Sequence, residues 1–308
     1  MAEASARVVV IGDALIDELR DDTGVREFVG GAALNVAVGL ARLGVPTSLI
    51  AMVGDDEAGS HIRSYLAVFG VELIATPSPH GSSRAVSVRS HGGEPVYEFN
   101  AAAKARRVRF GAAERAAIAA APMTVISCFP FDDVAQTLEL SSALAYRGGG
   151  LAIDPNPRSG MLADRAEFVR GFEALVSGAD LVKVGEDDAT LLYGEPLDAL
   201  RARLVGLGAQ AVFATQGSAG ATIEAGEVVV TAPISSLPGP IVDTMGGGDA
   251  ALASAVAGLA EGVPEDQEAW RALLETAMDV AGATCRFEGA LLRLPSALQG
   301  EDLDRLGT

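Results

Sequence analysis

An α/β fold, a mainly parallel sheet covered by helices on both faces with a small β appendage, is what the sequence predicts. Three observations lead there. From about Gly111 onward the apolar runs Met123 to Phe129, Leu151 to Ile153, Leu181 to Val184 and Ala211 to Ala214 alternate with helical patterns. Strand and helix in such alternation imply right-handed βαβ units and a parallel sheet buried on both sides. The chain also opens on a β-branched run, Arg7 to Ile11, that ends at Gly12 and reads as a buried strand feeding a loop. Finally, two alternating segments, Arg84 to Arg89 and Val96 to Phe99, are separated by His91-Gly92-Gly93-Glu94, the pattern of a β-hairpin.

Length and composition bound the rest. At 308 residues, with no internal repeat, low-complexity tract or linker dividing the half from about Gly111 onward, the chain reads as one large domain with an appendage. It has 49% hydrophobic residues and no apolar run long enough for a membrane span, and its start lacks a secretory signal. The formal net charge of −18 argues against nucleic acid and anionic membranes, which need positive surface; a local cradle still suffices for a nucleotide. Cys128, in an apolar run, and Cys285, in a helical pattern, are expected to be buried thiols of a reducing cytosol, so a cytoplasmic location is expected.

Taken in order, the loop Gly12 to Glu18 places Asp13 and Asp17 just past the first strand's C-terminal end, the edge where open α/β sheets bind ligands. Carboxylates there suit a polyol, because each oxygen accepts a hydroxyl proton; taken alone, such acids also cap or solvate loops. Gly30 and Gly31 open a helix whose stripe Leu34, Ala37, Val38 and Ala41 faces the core, with Asn35 off it. Pro46 to Gly54 is a strand, followed by a helix to about Phe69 that Gly70 stops, and then by a strand from Val71 to Pro77. A hairpin is expected from Ala221 to Ala232. After it come a helix containing Leu252, Ala253, Val256, Ala257 and Ala260, apolar nearly all round and so central, and another from about Glu268 to Arg286.

The chemistry concentrates in Asp243-Thr244-Met245-Gly246-Gly247-Gly248-Asp249. Three glycines strip side chains from a turn, so backbone N–H groups can approach an anion, and the helix that follows adds the positive end of its dipole. Asp249, in the first helical turn, is placed to take a proton from an attacking hydroxyl. Although Gly246 to Ala251 formally satisfies a dinucleotide fingerprint, it lies near the C-terminus and lacks the acid about 20 positions on. No Gly-Lys pair exists for a Walker A loop. The three histidines, His61, His80 and His91, fall in expected surface loops, which leaves Ser-His-Asp or Cys-His catalysis unsupported.

This turn resembles the DTxGxGD signature of the ribokinase-like, or PfkB, sugar kinases, with Gly247 where alanine is usual. Gly30-Gly31-Ala32-Ala33-Leu34-Asn35-Val36-Ala37, followed by Gly39-Leu40-Ala41-Arg42-Leu43-Gly44, resembles the family's second signature, in the expected order. The resemblance implies a ribokinase-like single domain over 1–308, with a lid over the sugar site from inserted segments at roughly 13–30 and 84–103. It implies ATP and Mg²⁺, with Gly246, Gly247 and Gly248 as the phosphate cradle and Asp249 as the base. Asp17 matches the family's sugar-binding aspartate, and Gly30, Gly31 and Asn35 its contacts to sugar hydroxyls; Asp13 either joins them or caps its loop. Tyr97 and Phe99 face a sugar, the lid interior or a second lid in a homodimer.

Asp154-Pro155-Asn156-Pro157-Arg158 looks like the DxNxR element of fructokinase-like members, with Arg158 as the anchor. Lys183-Val184-Gly185-Glu186-Asp187-Asp188 occupies the place of the N-x-x-E element that holds magnesium and phosphate through water, with Gly185 for Asn and Asp188 for Glu. Glu186 and Asp188 are then Mg²⁺-side acids, or else an ordinary helix N-terminal cluster. Thr215, Gly217 and Gly220 match the TxGxxG nucleotide loop; Lys183 and Gly289 complete the nucleotide side. Asp243 and Thr244 fit part of the family's K⁺ site. Phe129-Pro130-Phe131 stands where ribokinases usually carry an acid, so fructose, giving fructose 6-phosphate, is the first expectation. Ribose, 2-keto-3-deoxygluconate and nucleosides remain open. A reading of another class is a silent sugar- or nucleotide-binding protein on the same fold, against which the retained Asp249 weighs. The expected partners are a small sugar and ATP, with no nucleic acid or membrane, and a homodimer through the lid stays open.

Overall fold

The computed structural model describes residues 6–21, 24–88 and 96–299. The chain begins with β1 (Val8–Gly12), passes through β2 (Leu15–Asp21) and β3 (Gly24–Gly30) into α1 (Ala32–Arg42), and continues with β4 (Thr47–Val53), α2 (Glu57–Val68) and β5 (Glu72–Pro77). Next come β6 (Ser83–Val88), β7 (Val96–Phe99), a single turn α3 (Ala101–Lys104) and α4 (Ala112–Ala120). Then β8 (Met123–Ser127), α5 (Val134–Leu144), β9 (Gly150–Asp154), α6 (Arg165–Val176) and β10 (Leu181–Gly185) follow one another. A short α7 (Glu186–Asp188), α8 (Leu197–Gly206) and β11 (Ala211–Thr215) lead to the hairpin β12 (Ala221–Ala225) and β13 (Val228–Ala232), and α9 (Gly247–Glu261) and α10 (Gln267–Thr284) close the fold.

Among the described residues these strands form two sheets. The larger runs β13-β12-β11-β10-β9-β8-β1-β4-β5 and is parallel from β11 to β5, with β12 and β13 antiparallel at one edge. Its parallel strands are β-branched and buried, as both covered faces require: Val8 to Ile11 and Leu49 to Ala51 are at most 1% exposed. One apolar cluster packs α1, α9 and α10 on one face, and a second, built around Phe129, Phe131, Phe168 and Phe172, fills the other. Because β1 pairs with β4 on one side and with β8 on the other, the strand order reverses there, and the chain leaves both strands at the same edge. Such a switch point opens a crevice at the strands' C-terminal ends.

The smaller sheet, β3-β2-β6-β7, starts from that edge, since β1 ends at Gly12 and β2 begins at Leu15. Leu15 to Glu18 belong to its strand β2, whereas the sequence reading places them in a loop. No period-two pattern marks them: Leu15 and Ile16 are both buried and Asp17 and Glu18 both half-buried. Pairing with β3 and β6 makes the strand. The expected glycine turn His91-Gly92-Gly93-Glu94 lies outside the described residues, but the strands on either side pair antiparallel as a hairpin requires. α1 also differs, because Ala32 to Leu40 are buried on nearly every side except at Asn35, and Ala41, expected on the core stripe, is half-buried. The helix is enclosed between the sheet and α9 instead of lying on the surface. His61 sits on the exposed face of α2, not in a loop. No helix among the described residues is long and apolar enough to cross a membrane.

Candidate active site

The glycine turn is built as its residues require. Gly246 caps α9 with φ 73°, and a Cβ there would lie 2.6 Å from Ala290 Cα, so no side chain fits. The Gly247 N–H is spent on the Thr244 carbonyl at 3.3 Å, and the Gly246 carbonyl accepts from Ala250 at 2.8 Å. The N–H groups of Gly246, Gly248 and Asp249 keep no protein partner among the described residues. They stand at the positive end of a 15-residue helix, which is the physics of an anion cradle. Asp243 braces the turn from behind: its Oδ1 accepts from Met245 N–H at 3.0 Å and its Oδ2 from Gly289 N–H at 3.2 Å. Thr244 is exposed beside it.

A buried cation faces this turn. Lys183, at the middle of β10, has its Nζ 3.2 Å from where a Gly248 Cβ would stand, and it donates to Asp154 Oδ1 at 3.2 Å. Asp154, wholly buried at the end of β9, also accepts from Ser127 Oγ at 3.0 Å. Burial opposes the Lys183 charge, yet the nearby Asp154, Asp188 and Asp249 carboxylates outweigh it and hold the ammonium above its usual range. Asp188 is buried and takes the Gly185 N–H at 2.6 Å, whereas Glu186 points to solvent. Burial lifts the Asp188 carboxyl to about 6, with Lys183 pulling the other way. Beside them, Gly185 is in register with Thr215, which begins the loop closed by the Gln216 N–H to Gly220 carbonyl bond at 2.8 Å. Gly217 and Gly220 both take positive φ in that loop.

At the other end of the cleft lie the acids expected to meet a sugar. Asp249 is buried and its Oδ2 accepts from Asn35 Nδ2 at 2.8 Å, so α1 and α9 meet through the side chains the two signatures carry. Burial raises the Asp249 carboxyl to about 6 against that hydrogen bond. Asp17 reaches from β2 to Gly30, where a Cβ would stand 2.3 Å from its Oδ2; hence Gly30 has no side chain. Burial first, then the charges of Asp13 and Asp249, push Asp17 to about 7, against the pull of Arg158. Asp13 accepts the Ala33 N–H at 3.0 Å, which caps the start of α1, and burial raises its carboxyl too. Gly31 lies against its backbone, with Asp13 O 3.0 Å from a built Cβ. Arg158 is exposed, and its guanidinium makes no hydrogen bond among the described residues; burial opposes its charge, while Asp249, Asp13 and Asp154 favour it and prevail.

Three further groups here were missed by sequence reasoning. Asp154 sits within the quoted Asp-Pro-Asn-Pro-Arg element, but its place in a ladder with Ser127 and Lys183 depends on strand order. Arg106, buried behind Asp13, donates to the Cys128 and Ala103 carbonyls at 3.5 and 3.4 Å, and no sequence pattern marks it. Cys128 is buried as expected, yet it takes φ 51° directly after β8, next to Asn156 with φ 39° after β9. Two non-glycine residues with positive φ on adjacent strand ends form the floor of the crevice, where backbone strain is commonly stored at sites. Phe99, on β7 of the small sheet, packs against the buried cluster of Ala32, Ala103, Cys128 and Met161. The Tyr97 side chain lies outside what is described. Cys285, expected to be buried within a helix, is half-buried just past α10.

This fold is shared with known proteins. A fructokinase of Klebsiella pneumoniae is 30% identical over 310 residues, covering 94% of this chain and 97% of that protein. The crystal structure of fructokinase with bound ATP from Xylella fastidiosa superposes with a TM-score of 0.80 at 20% identity, over 96% of this chain and 97% of that one. A double mutant of fructokinase from Vibrio cholerae O395, determined with fructose, ADP and potassium ion, superposes with a TM-score of 0.78 at 22% identity, over 97% and 99%. The profile of the pfkB family carbohydrate kinases matches residues 5–297, and the chain therefore belongs to that family, on its fructokinase-like branch.

Proposed function

We propose that the chain transfers the γ-phosphoryl group of ATP to a primary hydroxyl of a small sugar, with fructose giving fructose 6-phosphate. The observation that carries this is Asp249. It is a buried carboxylate that shares one helical turn with the anion cradle and one hydrogen bond with Asn35, between the Lys183 end and the Asp13–Asp17 end of a single crevice. Phosphoryl transfer asks a protein for little besides in-line placement and neutralised charge. Asp17, Asn35 and the Gly30–Gly31 backbone hold the sugar, with Asp13 and Arg158 at its far side. Asp249 accepts the hydroxyl proton as the oxygen attacks the γ-phosphorus, and ADP leaves. The N–H groups of Gly246, Gly248 and Asp249, with Lys183, stabilise the charge on the transferring oxygens. Thr215, Gly217, Gly220 and Gly289 line the nucleotide side.

No cluster of three acids, histidines or cysteines is placed to hold a metal among the described residues. Asp188, with Glu186 outside it, offers carboxylate oxygens of the kind that would hold a hydrated Mg²⁺ through water. When bound, that ion spreads the phosphate charge. Asp243 and Thr244, with the loop at Gly289, would supply oxygen donors for a K⁺ beside the cradle. Replacing potassium by sodium or choline should lower kcat and leave sugar affinity unchanged; equal rates in the three salts would remove K⁺ from the proposal.

Fructose rests on the Asp154 to Arg158 element and on Phe129 to Phe131 in place of an acid, and it agrees with what the relatives are named for. The deciding experiment is coupled ADP release with fructose, ribose, 2-keto-3-deoxygluconate and adenosine. A site that hydrogen-bonds one hydroxyl pattern rejects analogues lacking it by up to about 10⁴, so kcat/KM should favour fructose by orders of magnitude. Fructose no better than ribose sinks the sugar assignment; binding of both ligands without ADP release sinks the kinase. We further propose one domain over 1–308, with the small sheet as a lid over the sugar, a cytoplasmic location, and pairing of two lids as the route to any homodimer.

The raised carboxyls set a pH dependence with two opposite signs. Asp249 must be ionised to take a proton, so kcat/KM should fall about tenfold per pH unit below its value of about 6. Stability runs the other way. A carboxyl whose folded pKa exceeds its unfolded value binds protons more tightly when folded, so its contribution is complete below about pH 4 and is lost as pH rises through about 6. The unliganded Asp249→Asn variant should accordingly melt above wild type at pH 7.5 and together with it near pH 4. A lower Tm at pH 7.5 would show that the charged form is not the costly one.

A further inference from the structure

Gly247 and Cys285 lie on opposite sides of one contact, and we propose that Cys285 is a positioning residue for the phosphate turn, size-matched to Gly247. A Cβ built on Gly247 would stand 2.8 Å from Cys285 Sγ, closer than real carbon and sulfur atoms approach. The thiol therefore occupies the volume that any side chain at 247 would need. The same residue holds the chain that enters the turn, because its carbonyl accepts the N–H groups of Val242 at 2.9 Å and Asp243 at 3.2 Å. Its own N–H is fixed to Ala281 at 3.0 Å, just past the end of α10. Gly246 is blocked in turn by Ala290, so the segment from 285 to 290 forms one wall behind the cradle. The free N–H groups of Gly246, Gly248 and Asp249 are then aimed by a surface whose depth is set at Cys285.

Two residues that fill one volume are coupled, and coupling is measured by a double-mutant cycle. The inference rests on the turn receiving ATP phosphates as proposed above, so the readouts are KM for ATP, KM for sugar, MgADP binding by calorimetry, and Tm. Gly247→Ala should raise KM for ATP roughly tenfold and weaken MgADP alike, leaving KM for sugar in place. Cys285→Ala, which only removes volume and should fold, is expected to raise KM for ATP a few-fold by loosening the wall; Cys285→Ser should keep most of wild-type affinity. In Gly247→Ala/Cys285→Ala the new methyl takes the vacated space, and most of the loss should be recovered. A double variant no better than Gly247→Ala overturns the inference, as does a Gly247→Ala effect seen in Tm alone. If wild type turns over and the cycle shows no coupling, only this inference falls. If wild type neither binds MgADP nor releases it, the proposed function falls as well.

Discussion

Asp249→Ala should lower kcat by about 10² to 10⁴, the range general base catalysis supplies, while fructose still binds. The split follows from the geometry. In the proposed complex Asp249 meets the reacting end of the sugar beside the cradle, whereas affinity is spread over Asp17, Asn35 and the glycine backbones. Removing its carboxylate leaves Asn35 Nδ2 without its 2.8 Å acceptor, so some loss of sugar affinity accompanies the loss of rate. Asp249→Asn separates the two, since its amide oxygen still accepts from Asn35 but takes no proton at neutral pH. It should bind fructose close to wild type and turn over as poorly as the alanine variant. Steady-state rates with isothermal titration of fructose check both. Near-normal turnover in either variant would take the base away from Asp249.

The sequence made most of this site legible wherever function is written into a local pattern. A glycine turn that needs bare backbone, followed by an acid in the first turn of an apolar helix, can be read from seven residues, and the structure builds it as a helix start whose Gly246, Gly248 and Asp249 N–H groups have no partner among the described residues. The parallel strands were equally legible, since burial on both faces leaves continuous apolar runs. What stayed hidden was non-local. Leu15 to Glu18 lack alternation, and only pairing with β3 and β6 makes them a strand. The Ser127, Asp154 and Lys183 ladder crosses three strands whose neighbourhood follows from sheet order. Arg106, whose charge favours the ionised Asp13 while it donates to the Cys128 and Ala103 carbonyls, comes from a segment with no periodic signal, and the positive φ at Cys128 and Asn156 is invisible in residue type.

Lys183→Met is expected to have the largest effect on stability and nucleotide use together. Its ammonium is the cation within hydrogen-bonding distance of Asp154, which is wholly buried, and it also offsets Asp188 and Asp249. Removing one member of a buried pair strands the other charge, at a cost of roughly 3 to 5 kcal/mol, which corresponds to a Tm loss on the order of 10 °C. Removing a preorganised donor from a transferring oxyanion costs about 10² to 10³ in rate, so kcat/KM for ATP should fall by that order. The two losses have separate causes and can be pulled apart. In Lys183→Met/Asp154→Asn the stranded charge is gone and a neutral pair replaces a buried ionic one, which is often nearly neutral for stability. Tm should therefore return toward wild type while kcat/KM for ATP stays low. A double variant that regains both would make Lys183 a counter-ion for Asp154 and remove it from phosphoryl transfer; one that regains neither would mean that the Ser127, Asp154 and Lys183 ladder shapes the crevice as a unit.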